Sequence, residues 1–211
     1  KQRIPAFLKP GDLIGLSATA RFATQEIIDV AKKHIEEAGF RVHIEPDILL
    51  RKGQVAGTVV QRIESFNRLI HHKEIKAIWN VRGGYGSADI VDAVDWLSLK
   101  KQPKWLIGFS DFTTFLLHAY QKGIPAIHAA MPISFENTHQ KQINDTFQVL
   151  AHGPKSLIVP EESIPFSGTL LGGNLSVISS LYGTPSLPSL EGAVLILEDL
   201  DEYHYHLDRM L

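Results

Sequence analysis

Apolar residues recur along this chain with two alternating periods. Asp12-Leu-Ile-Gly-Leu-Ser17, behind the turn signal Lys9-Pro10-Gly11, reads as a short buried strand. From Thr24 to Ala38 the spacing changes: Ile27, Ile28, Ala31, Ile35 and Ala38 share one face, which predicts an amphipathic helix closed by Gly39. The alternation continues with a strand at Arg41–Glu45 and a helix over Val59–His71. A strand at Glu74–Val81 follows, then a helix over Ala88–Leu99, and strands at Trp105–Gly108 and Ile124–Ala130. Helices set between short apolar strands predict βαβ units and a mostly parallel sheet, an α/β fold with helices on both faces.

The pattern changes after Gly153. Residues 1–153 read as an N-terminal α/β domain. Residues 154–166, punctuated by Pro154, Pro160 and Pro165, read as a linker. Residues 167–211 read as the start of a smaller C-terminal α/β domain. It contains Ser167-Gly-Thr-Leu-Leu-Gly-Gly-Asn-Leu175, a short helix ending near Leu181–Gly183, the strand Ala193–Glu198, and a helical pattern at Tyr203–Leu211. That last helix has an apolar side with little to bury it, so the second domain reads as incomplete.

Ligands of parallel sheets bind beyond the carboxyl ends of the strands. Two turns leave strands at that edge: Arg82-Gly-Gly-Tyr-Gly86 and Gly108-Phe-Ser-Asp-Phe112. A serine on a strand-to-helix turn is raised for attack, and the next N–H and the helix start face any developing negative charge. Ser110 is therefore a candidate nucleophile. The same residues suit an ordinary loop in which Ser110 or Asp111 caps the helix, and the sequence leaves both open. Gly83, Gly84 and Gly86 match neither a dinucleotide fingerprint nor a P-loop. Their N–H groups can hold a tetrahedral oxyanion opposite Ser110, or the run can be a plain glycine turn. The α/β-hydrolase pattern Gly-x-Ser-x-Gly fails at Phe112.

A serine nucleophile needs a base, and ten histidines are present. His118 follows Ser110 on one helix, about 12 Å further along the axis, out of reach. His128 lies on the neighbouring strand and can approach the crevice, although a satisfied core or rim histidine is the preferred account of it. His204 and His206 lack a third metal ligand, and His71 and His72 suit a helix C-terminus. Glu198 closes an apolar strand and is the candidate carboxylate, with Glu202 its neighbour. The net charge of −2 gives no footprint for nucleic acid and no polybasic membrane patch. No apolar run approaches the roughly 20 residues of a membrane span. With no cysteine, disulfides and thiol catalysis are excluded. A cytoplasmic location is the expectation, with Lys1 rather than a methionine at the start.

These segments resemble the LD-carboxypeptidase family of serine peptidases, which includes muramoyltetrapeptide carboxypeptidases and microcin C self-immunity proteins. The resemblance runs through Lys9–Gly15, Gly57-Thr58 with Arg62, Arg82–Gly86, Gly108–Thr113 and His128 with Met131-Pro132. It continues in Gly168–Leu175, Gly183–Pro185 and Leu197-Glu-Asp199 with Glu202, Tyr205, Asp208 and Arg209. It implies a Ser-Glu-His triad in which Ser110 is the nucleophile and Glu198 orients the histidine. The N–H groups of Gly84 and Asp111, beside Gly83, are then the oxyanion hole. The implied activity is hydrolysis between an L-diamino acid and terminal D-alanine in cytoplasmic muramoyl tetrapeptides, a step of peptidoglycan recycling. A small peptide is the partner, a homodimer is implied, and neither metal nor cofactor is expected. A microcin-type peptidyl nucleotide hydrolase and a non-catalytic anion-binding module are the alternatives. Asn80, Asp89 and His204 depart from the family pattern, which implies altered substrate preference. The family histidine falls downstream of the Leu-Glu-Asp strand, so a chain ending at Leu211 is expected to lack it.

Overall fold

The computed structural model describes residues 3–155 and 167–211. Five parallel strands form the main sheet: β1 (Leu13–Ser17), β2 (Arg41–Ile44), β3 (Ile75–Asn80), β4 (Trp105–Gly108) and β5 (Ala126–His128), in the order β2-β1-β3-β4-β5. Strand β1 pairs with both β2 and β3, so the chain reverses direction across the sheet between β1 and β3. At such a switch point the loops diverge and leave a crevice.

Alternation along the central strands divides the core. Ile14, Leu16, Ala77, Trp79 and Ile107 pack on one face with α1 (Gln25–Glu37) and α5 (Gln140–His152). Ile78 and Leu106 pack on the other with α2 (Val59–His71), α3 (Trp96–Lys101) and α4 (Thr113–Gln121). Thr58 starts α2 with a reciprocal capping box, its hydroxyl accepting from Gln61 N–H at 3.2 Å. The helix expected over 88–99 is instead a 3₁₀ turn at Val91–Ala93 followed by α3. Asp95 breaks the run by capping α3, accepting from Ser98 N–H at 3.0 Å. Helix α5 is absent from the sequence reading, although Ile143, Phe147 and Leu150 recur at helical spacing on its buried side.

A second sheet pairs β6 (Thr169–Asn174) with β7 (Ala193–Glu198) in parallel, with α6 (Leu175–Ser180) between them and α7 (His204–Met210) after them. Of the linker expected at 154–166, positions 156–166 lie outside the described residues. Leu117 of α4 packs with Ile178 and Leu181, and Asn174 N–H donates to Thr113 Oγ1 at 3.0 Å, so β6 and α6 rest on the start of α4. On β7, Leu195 and Ile196 remain 42% and 51% exposed.

Asn80 joins the two strands at the switch point. Its Oδ1 accepts from Ser17 Oγ at 3.1 Å, Thr19 N–H at 3.2 Å and Thr19 Oγ1 at 3.3 Å, while its Nδ2 donates to Arg82 O at 2.7 Å. Asn80 is fully buried. This departure from the family pattern has a structural role in joining the strand ends. Asn80→Ala leaves several interior partners unpaired, and the expected cost is about 3 kcal/mol, read as a lower urea midpoint at unchanged slope.

Candidate active site

Three segments meet beyond the carboxyl ends of β1, β3 and β4: Thr19–Arg21, Arg82–Asp89 and Phe109–Asp111. Arg62 of α2 is buried behind them. Its Nη1 donates to Thr19 O and Gly86 O, both at 2.7 Å, and its Nη2 reaches Asp89 Oδ2 at 3.4 Å. Ser87 links the same loops: its Oγ lies 2.8 Å from Thr19 Oγ1, and its N–H donates to Asp111 Oδ2 at 2.9 Å. A guanidinium and a carboxylate are tolerated in the interior only when bonded in this way. Together they fix the glycine loop against the turn after β4. Asp89, the second departure from the family pattern, is here a partner of Arg62.

The turn itself separates the two readings of Ser110. Phe109 is extended, Ser110 adopts φ +59, and residues 110–112 form one 3₁₀ turn before α4 begins. Neither Ser110 nor Asp111 caps α4 through its side chain. Asp111 is engaged by Ser87 instead. A left-handed conformation costs an L-residue about 1–2 kcal/mol, and no capping bond compensates for it here. Its geometric effect is to turn the Ser110 side chain toward Gly83. A methyl group at Gly83 would lie 2.9 Å from Ser110 Oγ and 3.0 Å from Ser110 Cβ, so only glycine permits this approach. Gly84 has φ +125, and a methyl group there would meet Arg21 Cβ at 2.6 Å. Among the described residues Gly84 N–H donates to no backbone carbonyl outside regular elements. Asp111 N–H lies in the first turn of a helical segment, where donors lack intrahelical partners. The loop and turn thus offer a hydroxyl with N–H groups close by, an arrangement able to receive an oxyanion.

Glu198 ends β7 in register with Asn174, the residue that bonds to Thr113 at the start of α4. The second sheet therefore brings this carboxylate toward the Ser110 side of the molecule. Its Oε1 is buried and has no hydrogen-bond partner among the described residues. Burial pushes the Glu198 carboxyl above the usual carboxylate range, the Asn174 amide pulls the other way, and the Asp199 charge adds to the rise. Asp199 is occupied elsewhere, accepting from Leu200 N–H and Ser176 N–H, both at 2.8 Å.

The histidines divide clearly. His118 is buried, stacks on Trp96 with centroids 4.8 Å apart, and bonds through Nδ1 to Ser186 Oγ at 2.9 Å. His71 bonds to Asp95 at 2.8 Å, and His206 to Glu202 at 2.7 Å. His128 stands opposite Gly108 in the β4–β5 register, its ring edge-on to Phe109 at 6.1 Å, and burial lowers its pKa. None of these bonds reaches Ser110 or Glu198. No group of three potential metal ligands occurs among the described residues, and no helix there is long and apolar enough to cross a membrane. Sequence reasoning misses Thr19, Ser87 and Thr113 as parts of this site. Each is a lone small polar residue whose partner is set by strand register, so no local signal marks it.

Two family profiles match the chain. The profile described as LD-carboxypeptidase N-terminal domain matches residues 14–129, and the one described as LD-carboxypeptidase C-terminal domain matches residues 167–211. The murein tetrapeptide carboxypeptidase of Pseudomonas aeruginosa is 30% identical, over 94% of this chain and 69% of that protein. The probable murein peptide carboxypeptidase of Bacillus subtilis is 30% identical, over 98% of this chain and 68% of that protein. A structure of microcin C7 self immunity protein MccF with glutamyl sulfamoyl guanosine matches with TM-score 0.86 and 22% identity, over 98% of this chain and 73% of that one. The muramoyltetrapeptide carboxypeptidase of Oxalobacter formigenes matches with TM-score 0.84 and 24% identity, over 94% and 69%. These two structures share the fold.

The buried carboxyl of Asp111 gives this site a pH signature. Burial pushes its pKa up, against the Ser87 hydrogen bonds. The folded state then holds this proton more tightly than the unfolded chain. Its contribution to stability is complete below about pH 4, the ordinary carboxylate value, and is lost as pH rises through the raised folded value. Asp111→Asn should therefore gain stability relative to the parent chain as pH rises across that window. Urea midpoints of both chains measure the gain, and a difference constant with pH would contradict it.

Proposed function

The chain belongs to the LD-carboxypeptidase family, and from that premise we propose that Ser110 is the nucleophile of a serine peptidase. Its substrate is the bond between an L-diamino acid and terminal D-alanine in cytoplasmic muramoyl tetrapeptides, within peptidoglycan recycling. One observation carries this reading: Ser110 holds a left-handed backbone, caps no helix, and directs its side chain at a glycine that admits no methyl group.

In this reading Ser110 Oγ attacks the scissile carbonyl carbon while its proton passes to an imidazole base. The tetrahedral oxyanion accepts from the N–H groups of Gly84 and Asp111, and Gly83 leaves room for it. Collapse expels the amine of D-alanine, which takes the proton from the imidazolium, and water then hydrolyses the acyl-serine by the same steps. Glu198 orients the imidazole. Its buried Oε1, unpaired among the described residues, suits a ring N–H as partner. His128 is not assigned the role of base, because its ring lies against Phe109. The two murein relatives at 30% identity favour a cell-wall peptide over the peptidyl nucleotide of the microcin branch.

Ser110→Ala should abolish both D-alanine release from a muramoyl tetrapeptide and labelling by a fluorophosphonate. Gly83→Ala should lower release by at least about tenfold, since misplacing reacting groups by an ångström can cost a hundredfold. His128→Ala should leave release nearly intact. Labelling that survives Ser110→Ala would remove the nucleophile assignment, and release lost on His128→Ala would make that residue the base. Absence of labelling in the parent protein would leave an anion-binding module instead.

A further inference from the structure

Three arginines gather on one aromatic ring beside the glycine loop. The Arg51 guanidinium lies 4.0 Å from the Phe22 ring centroid, and those of Arg21 and Arg82 each lie 5.7 Å from it. Their hydrogen bonds go to backbone carbonyls: Arg51 Nε to Gly53 O at 3.0 Å, and Arg82 Nη1 to Phe22 O at 3.1 Å. Arg82 Nε is buried and has no partner among the described residues. The ion pairs found among the described residues involve none of the three. Burial lowers the Arg82 pKa, and the nearby Arg21 charge lowers it further.

A folded chain of net charge −2 does not need to crowd three cations for solubility. Like charges held together in this way repel each other, and that repulsion is relieved when an anion binds among them. The location narrows what the anion is. Arg21 N–H donates to Gly83 O at 3.4 Å, and Arg21 Cβ is the atom a methyl group at Gly84 would strike. Gly83 in turn faces Ser110 Oγ. One loop thus has the nucleophile against one residue and the cation cluster against the next. Phe22 fixes the guanidinium planes through cation–π contact and keeps their donor edges available.

We infer that Arg21, Arg51 and Arg82, mounted on Phe22, form a carboxylate-binding subsite that anchors the peptide substrate beside Ser110. The inference rests on the peptidase reading above and adds a specificity element to it. The carboxylate comes either from the substrate C-terminus or from an acidic side chain within the peptide, and guanidinium forks recognise both alike.

The test is a titration of the isotope-labelled 211-residue chain, followed through its backbone amide resonances. The ligands are an N-acetylated tetrapeptide, its C-terminal amide, and the same peptide with its internal acidic group amidated. The parent peptide should shift the Arg21, Phe22 and Gly84 resonances saturably. One amidated form should bind about tenfold more weakly, as expected for loss of a charge-assisted hydrogen bond, and so identify the carboxylate. Arg21→Gln combined with Arg51→Gln replaces two exposed side chains. It should erase the difference while leaving resonances outside the site in place. Equal binding of all three peptides, a difference that survives the double variant, or no shift at these amides would overturn the inference. Fluorophosphonate labelling of Ser110 reports on the nucleophile separately, so either conclusion can fail alone.

Discussion

The buried guanidinium of Arg62 holds the rim of the crevice together. It reaches from α2, on one face of the sheet, to carbonyls of the loops after β1 and β3, at 2.7 Å each. A charge this deep is stable only if its donors are used, and the loop carbonyls supply the acceptors. The requirement works in both directions. The arginine needs the loops, and the loops take their shape from the arginine. Ser87 and Asp111 extend the same logic to the turn after β4, and Asn80 anchors it to the strand ends.

On this rim the Ser110 turn can carry a conformation that would relax elsewhere. Its left-handed φ leaves the hydroxyl uncommitted, and Gly83 accepts the contact that results. The second sheet contributes from the opposite direction, through Asn174 on Thr113 and through Glu198 one strand over. The Ser110 turn is thus set by one sheet and the Glu198 carboxylate by another, with α4 as the surface on which they meet.

Much of this is legible in the sequence because the apolar period is strong. Strand β4 and helix α2 appear at their observed limits, and the two glycine-bearing turns are placed at the right edge of the sheet. The broken segment before α3 is misread because Asp95 competes for the backbone with a side-chain bond that periodicity does not register. The site is legible in Ser110, Gly83 and Glu198, whose positions at strand ends are local facts. Thr19, Ser87 and Thr113 are not, since their value lies in partners dozens of residues away. The positive φ at Ser110, which goes with the absence of a helix cap there, is not encoded in composition or spacing.

The strand order has a consequence for motion. The loops of the rim come from segments far apart in sequence, and they come within reach of one another because β1, β3 and β4 lie side by side at the centre of the sheet. No edge strand can peel away and release them. Amide protons of Ile78 and Leu106, in those central strands, should therefore exchange with solvent only through global unfolding, while β2 and β5 open at lower free energy. The crevice keeps its shape for as long as the chain stays folded.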